Sequence, residues 1–152
     1  MAWAAERRET LLDNEIHYTY SVDGSDFTLA GEISSKVKKT LRQLGLPSEI
    51  IRKVAISMYE AEINMVIHAN GGTIDVTIDS DKIRVILKDT GPGIPDIDKA
   101  MQEGFSTATN EVRELGFGAG MGLPNIKKYS DEMNISSVVG QGTTMELIIN
   151  II

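Results

Sequence analysis

Cysteine is absent from the 152-residue chain, and only two histidines, His17 and His68, are present. Disulfide bonds, thiol nucleophiles and cysteine-ligated metals are therefore excluded, and two histidines are too few for a histidine-rich metal cluster. No apolar run approaches the roughly 20 residues of a membrane-spanning helix. The opening residues MAWAAERRETLL also lack the apolar stretch of a secretion signal. We therefore expect a cytoplasmic protein with no membrane partner.

Basic residues are scarce as well: lysine and arginine total 15 against 22 acidic residues, which gives a formal net charge of -7. Nucleic-acid binding normally requires a basic face, so we expect no nucleic-acid partner. A nucleotide is still compatible, because its small site needs only local positive potential. With 41% hydrophobic and 24% charged residues, the chain fits one globular domain over residues 1–152.

Hydrophobic periodicity and turn residues divide the chain into alternating strands and helices. The predicted strands are about 14–22, 73–79, 82–88, 134–139 and 143–150, and the predicted helices are about 26–44, 48–69, 97–102 and 121–131. Strands in hairpins with segregated helices favour a two-layer α/β sandwich. We expect a mixed, largely antiparallel sheet with the helices on one face.

The second predicted helix carries a polar stripe, because five polar residues recur at steps of four, three, four and four: Lys53, Ser57, Glu60, Asn64 and His68. One interpretation is the solvated face of an amphipathic helix. The other uses Glu60 and Asn64, which lie one turn apart. A carboxamide oxygen can ligate Mg²⁺ without adding charge beside phosphates, and a carboxylate can orient an attacking hydroxyl.

Two glycine-containing turns follow strands. In DTGPGIP, residues 89–95, Asp89 stands at a strand end, where its carboxylate could accept a hydrogen bond from an exocyclic amine. Gly91 and Gly93 would let the backbone approach a flat ring closely. In GQGT, residues 140–143, the hydroxyl of Thr143 could support a purine. Each motif taken alone is better explained as an ordinary turn.

The stretch GFGAGMGLPNI, residues 116–126, contains four alternating glycines that run into a helix with Pro124 in its first turn. Neither the P-loop pattern nor the dinucleotide-binding spacing fits it. Glycines leave backbone N–H groups free to point at an anion, and the helix N-terminus favours phosphate. The stretch therefore indicates a phosphate-binding segment rather than a flexible linker.

The order of these motifs over residues 57–150 resembles the GHKL ATPase superfamily, which includes gyrase-type ATPases and histidine-kinase catalytic domains. The run EVRELGFGAGMGLPNIKKYSDE is especially similar to the stand-alone serine kinases of bacterial stress-response partner-switching modules. The resemblance implies a Bergerat-type histidine-kinase-like ATPase fold, with ATP and Mg²⁺ as cofactors.

The resemblance also implies site roles by position. Glu60 matches the catalytic carboxylate, Asn64 the Mg²⁺ ligand, and Asp89 the aspartate that reads adenine. The other implied ATP-binding residues are Gly91, Gly93, Gly118, Gly120, Met121, Gly122, Leu123 and Thr143. Residues 103–119 match the ATP lid. Arg113 either reaches a terminal phosphate or is an exposed lid arginine.

By resemblance, we expect a Mg-ATP-dependent serine/threonine protein kinase that phosphorylates a small anti-sigma-factor-antagonist-type partner and thereby regulates transcription. The alternative is an anti-sigma factor that binds ATP and sequesters a sigma factor, with catalysis secondary. A phosphatase is a further candidate partner, and the oligomeric state stays open, a homodimer included. The catalytic half of a histidine kinase and a gyrase-type ATPase rank below these, because the 152 residues contain neither a phospho-accepting helical hairpin nor a transducer domain.

Overall fold

The fold was analysed in a computed structural model, which describes residues 7–12, 15–25, 27–102 and 122–152. Its strands are β1 (Arg7–Leu12), β2 (Glu15–Asp23), β3 (Gly71–Ile78), β4 (Lys82–Lys88), β5 (Glu132–Val138) and β6 (Gly142–Asn150). Its α-helices are α1 (Glu32–Gln43), α2 (Ser48–Ala69), α3 (Ile97–Ala100) and α4 (Gly122–Tyr129), and a 3-10 turn spans Phe27–Leu29.

The strands form one six-stranded sheet in the order β1-β2-β3-β4-β6-β5. Every pairing between the described strands is antiparallel. Three pairs of consecutive strands, β1–β2, β3–β4 and β5–β6, are antiparallel neighbours. The helical segments are inserted between β2 and β3 and between β4 and β5. The predicted two-layer α/β sandwich with a largely antiparallel sheet is confirmed, whereas the parallel pairing that a mixed sheet requires does not occur among the described strands.

One face of the sheet forms the core, because strand side chains alternate between the two faces. The inward residues of β2, β3, β4 and β6 are buried, and they are Tyr18, Tyr20, Val22, Ile74, Val76, Ile78, Ile83, Val85, Leu87, Met145, Leu147 and Ile149. Helix α2 contacts all four of these strands, and α1 and α4 pack on either side of α2. The helices therefore cover one face, as predicted.

The opposite face of the sheet carries polar pairs between neighbouring strands. His17 Nε2 lies 3.3 Å from Asp75 Oδ1 across β2 and β3, and Arg84 Nε lies 3.2 Å from Glu146 Oε2 across β4 and β6. The polar residues that alternate with the apolar ones at these positions therefore lie on the outer face of the sheet. None of the described helices combines the length and apolar character that crossing a bilayer requires.

Helix α1 begins later than the sequence pattern predicts, at Glu32 rather than near residue 26. Gly31 interrupts the helix because its backbone is left-handed, with φ of 93°. A Cβ atom at this position would also lie 2.7 Å from the ring of Tyr59. The prediction of one continuous helix over 26–44 is therefore wrong in its first turns.

The N-terminus of α1 has no side-chain cap of its own and is held instead by Glu62 of α2. The carboxylate of Glu62 accepts the backbone N–H groups of Gly31 at 3.0 Å, Ile33 at 3.1 Å and Ser34 at 2.9 Å. Glu62 is only 1% exposed to solvent. Burial raises the pKa of the Glu62 carboxyl, and the three backbone hydrogen bonds act to lower it. Glu62 thus stabilises the contact between α1 and α2.

Candidate active site on helix α2

The polar stripe of α2 faces helix α4. Gly122, the first residue of α4, lies against Asn64: a Cβ atom on Gly122 would be 3.1 Å from Asn64 Nδ2 and 3.2 Å from Asn64 Oδ1. Three residues further along α4, the side chain of Asn125 forms a hydrogen bond with Glu60. Residue numbers rise along α4 as they fall along α2, so the two helices run antiparallel at this contact.

The same register continues to the far end of the two helices. The guanidinium of Arg52 lies 5.9 Å from the centroid of the Tyr129 ring, and Lys53 Nζ lies 3.4 Å from Asp131 Oδ1. Between these contacts and Glu60, Ser57 is fully buried, and its hydroxyl donates to the carbonyl oxygen of Lys53 at 2.7 Å. The interpretation of the stripe as a solvated helix face is therefore wrong over its central turns. Those turns form the contact with α4.

Glu60 occupies a partly desolvated position in this contact. Burial raises the pKa of its carboxyl above the ordinary value, and the hydrogen bond from the Asn125 side chain opposes that rise. A carboxylate with a raised pKa is a stronger base than one in water. Asn125 did not emerge from the sequence analysis, because only the packing of α4 on α2 brings it to Glu60.

Asp89 is fixed at the end of β4 by bonds to the start of β6. Its Oδ1 accepts the backbone N–H of Gly91 at 2.9 Å and that of Thr143 at 3.1 Å, and its own N–H donates to the carbonyl oxygen of Thr143 at 3.0 Å. Both side-chain bonds use Oδ1, so among the described residues Oδ2 takes no part in holding the loop. The structure thus brings Asp89, Gly91 and Thr143 together, as the sequence predicts, and leaves one carboxylate oxygen available for a ligand.

The loop after β4 packs on the turn between β5 and β6. Gly93 has φ of 78°, and a Cβ atom there would lie 2.6 Å from the carbonyl oxygen of Val138, so glycine is needed at this close approach. Ser137 ties the two segments together: its hydroxyl accepts the N–H of Ile94 at 2.7 Å and lies 2.8 Å from Thr143 Oγ1. Ser137 was missed by the sequence analysis; the observed register of β5 and β6 pairs it with Thr143.

The two parts of the candidate site are connected through α2. A Cβ atom on Gly91 would lie 2.8 Å from Ala69 Cα, so the Asp89 loop touches the last turn of the helix. With a rise of 1.5 Å per residue, Asn64 lies about 7.5 Å and Glu60 about 13.5 Å along the axis from Ala69. A ligand bound along this line would meet Asp89 first, then Asn64, then Glu60.

Several predicted contacts lie outside the residues that the structure describes: Arg113, Gly118, Gly120, Met121 and the rest of the lid over 103–119. Leu123 is described, and its half-buried side chain packs against the core. The structure therefore assigns Leu123 a packing contact, and its part in nucleotide binding stays a prediction.

A metal ion bound at this site would have to take its ligands from somewhere other than a cluster of acidic or histidine side chains. Among the described residues, no group of three or more His, Cys, Asp and Glu is arranged to hold one. The carboxamide of Asn64 is partly exposed beside Gly122. Mg²⁺ at nucleotide sites usually keeps several waters and binds phosphate oxygens with few protein ligands, and Asn64 fits that donor set.

The two-layer sandwich, its antiparallel sheet and its helix order agree with the histidine-kinase-like ATPase fold that the sequence motifs predict. Residues 25–149 match the family described as "Histidine kinase-like ATPase domain". The chain belongs to this family. Membership implies ATP binding.

Some of the curated relatives that the chain matches are named as a serine/threonine-protein kinase and others as anti-sigma F factors. The chain is 32% identical over 127 residues to the serine/threonine-protein kinase RsbT of Bacillus subtilis (strain 168), which covers 81% of this chain and 87% of that protein. It is 34% identical over 110 residues to the anti-sigma F factor of Thermoanaerobacter sp. (strain X514), covering 69% and 73%. It is also 28% identical over 140 residues to the anti-sigma F factor of Geobacillus stearothermophilus, covering 88% and 90%.

Proposed function

We propose that the chain is a Mg-ATP-dependent serine/threonine protein kinase that phosphorylates a small anti-sigma-factor-antagonist-type protein in a partner-switching pathway. The observation that carries the proposal is the placement of Glu60, half-buried and hydrogen-bonded by Asn125, one helical turn from Asn64. A carboxylate with a raised pKa beside a candidate metal ligand suits transfer of a phosphoryl group to a hydroxyl. The similarity to a protein named as a serine/threonine kinase supports the same activity.

In the proposed reaction, the hydroxyl oxygen of the substrate serine or threonine forms a bond to the γ-phosphorus of ATP. The bond from that phosphorus to the β–γ bridging oxygen breaks, and ADP leaves with the bonding electron pair. Glu60 accepts the proton of the attacking hydroxyl, and the proton then passes to solvent. The contribution of the protein is chiefly positioning and charge stabilisation, as in other phosphoryl transfers.

The remaining residues hold the nucleotide. Asp89 Oδ2 would accept a hydrogen bond from the exocyclic amine of adenine, while the backbone N–H groups of Gly91 and Thr143 hold Oδ1 of the same carboxylate in place. Gly122 presents its backbone at the start of α4, where N–H groups favour phosphate. Asn64 would hold Mg²⁺, which neutralises phosphate charge when bound.

Sequestration of a sigma factor is the second candidate function, because several relatives are named anti-sigma F factors. The two functions make different demands on Glu60: transfer requires its carboxylate, whereas sequestration requires only a nucleotide-shaped surface. We rank sequestration second because it gives no role to the half-buried carboxylate of Glu60 beside Asn64. Similarity alone does not separate the two functions, since relatives of both names match most of the chain.

The test is phosphotransfer from labelled ATP to candidate antagonist proteins encoded near this chain, read by mass spectrometry. Phosphoserine or phosphothreonine on one antagonist, formed at a rate that depends on Mg²⁺, is the expected result. Stable capture of a sigma factor with no phosphorylated antagonist would instead favour sequestration. A Glu49→Gln variant is the matched control for Glu60→Gln, since Glu49 is exposed on the same helix.

A further inference from the structure

Asn125 lies in the first turn of α4 with its side chain directed to Glu60. Its orientation is set by residues on both sides of it in the helix. Ile126 is fully buried in the core, and Leu123 packs against the same core. These two anchors fix the rotation of α4 about its axis, so Asn125 has little freedom to turn away from α2.

The neighbouring contact fixes the position of α4 along α2. Gly122 lies against the carboxamide of Asn64, and the Arg52–Tyr129 contact holds the opposite end of the two helices. Asn125 is three residues after Gly122, and Glu60 is four residues before Asn64. Antiparallel packing therefore brings Asn125 to the level of Glu60, which agrees with the hydrogen bond between their side chains.

Resting on the proposed kinase function, we propose that Asn125 is a positioning residue, whose side-chain amide holds the Glu60 carboxylate in the orientation that receives the proton of the substrate hydroxyl. Glutamate accepts hydrogen bonds only, so Asn125 donates from Nδ2 to one carboxylate oxygen. The other oxygen is left for the hydroxyl. Because the donor stands in the turn that begins at Gly122, it also couples the start of α4 to the reacting carboxylate.

Loss of the donor would leave Glu60 free to rotate. A misplacement of about 1 Å at a reacting group can lower a rate by about 100-fold. We expect Asn125→Ala to lower kcat for phosphotransfer by about 10- to 100-fold, with the KM and Kd for Mg-ATP changed by less than about threefold. Asn125→Asp, which has nearly the same shape, removes the donor and adds a negative charge beside Glu60, so its loss should be larger.

The control is Lys127→Ala, because Lys127 is exposed on the same helix and its removal should leave kcat unchanged. Thermal unfolding reports whether each variant is folded, and Asn125→Asp decides the question if the alanine variant does not fold. Equal losses in ATP affinity and in kcat would assign Asn125 to nucleotide binding and overturn the proposal. An unchanged kcat would overturn it as well.

A double-mutant cycle separates positioning from general support of the fold. If Asn125 acts through Glu60, adding Asn125→Ala to Glu60→Gln should change the residual single-turnover rate by less than about twofold. Losses that multiply in the double variant would show independent roles and contradict the proposal.

Failure of the kinase proposal itself is recognisable separately. A wild-type chain that transfers phosphate to none of the tested partners overturns the proposed function and the role in catalysis together. The contact between Asn125 and Glu60 is then tested by NMR. The signals of the Asn125 side-chain amide should shift in the Glu60→Ala variant and stay unchanged in the Glu49→Ala variant. Signals that are identical in wild type and Glu60→Ala would overturn the contact, whatever the activity.

Discussion

Glu62 of α2 accepts the backbone N–H of Ser34, 28 positions earlier in α1, at 2.9 Å and thereby joins the two helices. The other two bonds of the carboxylate, from Gly31 and Ile33, complete a cap that α1 does not supply from its own sequence. Glu62 is only two residues from Glu60, yet the first carboxylate holds the fold together and the second faces the candidate site.

Replacement of Glu62 by alanine should therefore destabilise the protein. Three buried N–H groups would lose their acceptor, and we expect the free energy of unfolding to fall by about 2–4 kcal/mol. Urea unfolding measures the change. Glu49→Ala, an exposed substitution on the same helix, is the control and should stay within about 0.5 kcal/mol of wild type. A Glu62→Ala variant as stable as the control would show that the cap contributes nothing.

The same residue should make stability depend on pH. Because burial raises the folded-state pKa of Glu62, the folded protein holds this proton more strongly than the unfolded chain does. The contribution of Glu62 to the free energy of unfolding is then largest below the ordinary glutamate pKa of about 4.3 and falls as pH rises through the higher folded-state value. Subtracting the stability of Glu62→Gln from that of wild type across pH isolates this trend. A difference that increases with pH would contradict it.

Glu60→Gln tests the proposed base. The amide cannot accept the proton of the attacking hydroxyl, so the rate of transfer should fall by about 100-fold or more, whereas the Kd for Mg-ATP should change little. Single-turnover transfer and calorimetric titration provide the two quantities. Unchanged turnover in the variant would remove Glu60 from the mechanism.

Asp89→Asn tests recognition of the base. The variant can keep an oxygen toward Gly91 and Thr143, but it then places an NH₂ group where Oδ2 would accept from adenine. Two donors facing each other should weaken ATP binding by about 10- to 100-fold and reduce the preference for ATP over GTP. Titrations with both nucleotides measure this, with the exposed Asp98→Asn as control. A parallel loss for ATP and GTP would indicate damage to the loop instead of lost base recognition.

Gly122→Ala tests the contact between α4 and Asn64. The new methyl group would lie 3.1–3.2 Å from the carboxamide atoms of Asn64 and should displace that side chain. If Asn64 holds Mg²⁺, ATP affinity should drop about tenfold in the presence of Mg²⁺ and less in its absence. Titrations with and without the metal provide an internal control. The same loss under both conditions would argue that Gly122 affects the phosphates directly.

Much of the fold could be predicted from local sequence. The bounds of α2 and β4 agree with the sequence pattern residue for residue, because Pro47 and Asn70 delimit the helix and β4 alternates strictly. Strand β1 was missed, since RRETLL has no such alternation. Its pairing comes from the edge of β2, which is a tertiary contact.

The candidate site, like the fold, could be predicted from the sequence only in part. Glu60, Asn64 and Asp89 could be selected from motif order. The structure places Glu60 and Asn64 on α2 and the loop of Asp89 against the end of that helix at Ala69. Asn125 and Ser137 could not be selected, because each acts through a partner that is distant in sequence and adjacent only after packing. Their side chains belong to no motif of their own.

The Asp89 loop lies against Ala69, and Glu60 lies about 13.5 Å further along the axis of α2. In the proposed binding mode, this distance would let only a nucleotide with enough phosphates reach Glu60. In the proposed binding mode, ADP fills the end of the site near Ala69 and Asn64 and stops short of Glu60. The product therefore retains the base contacts of the substrate while it lacks the reacting group. If both nucleotides compete for this site at concentrations above their dissociation constants, the fraction of molecules that hold ATP would follow the ratio of ATP to ADP more closely than the concentration of either nucleotide.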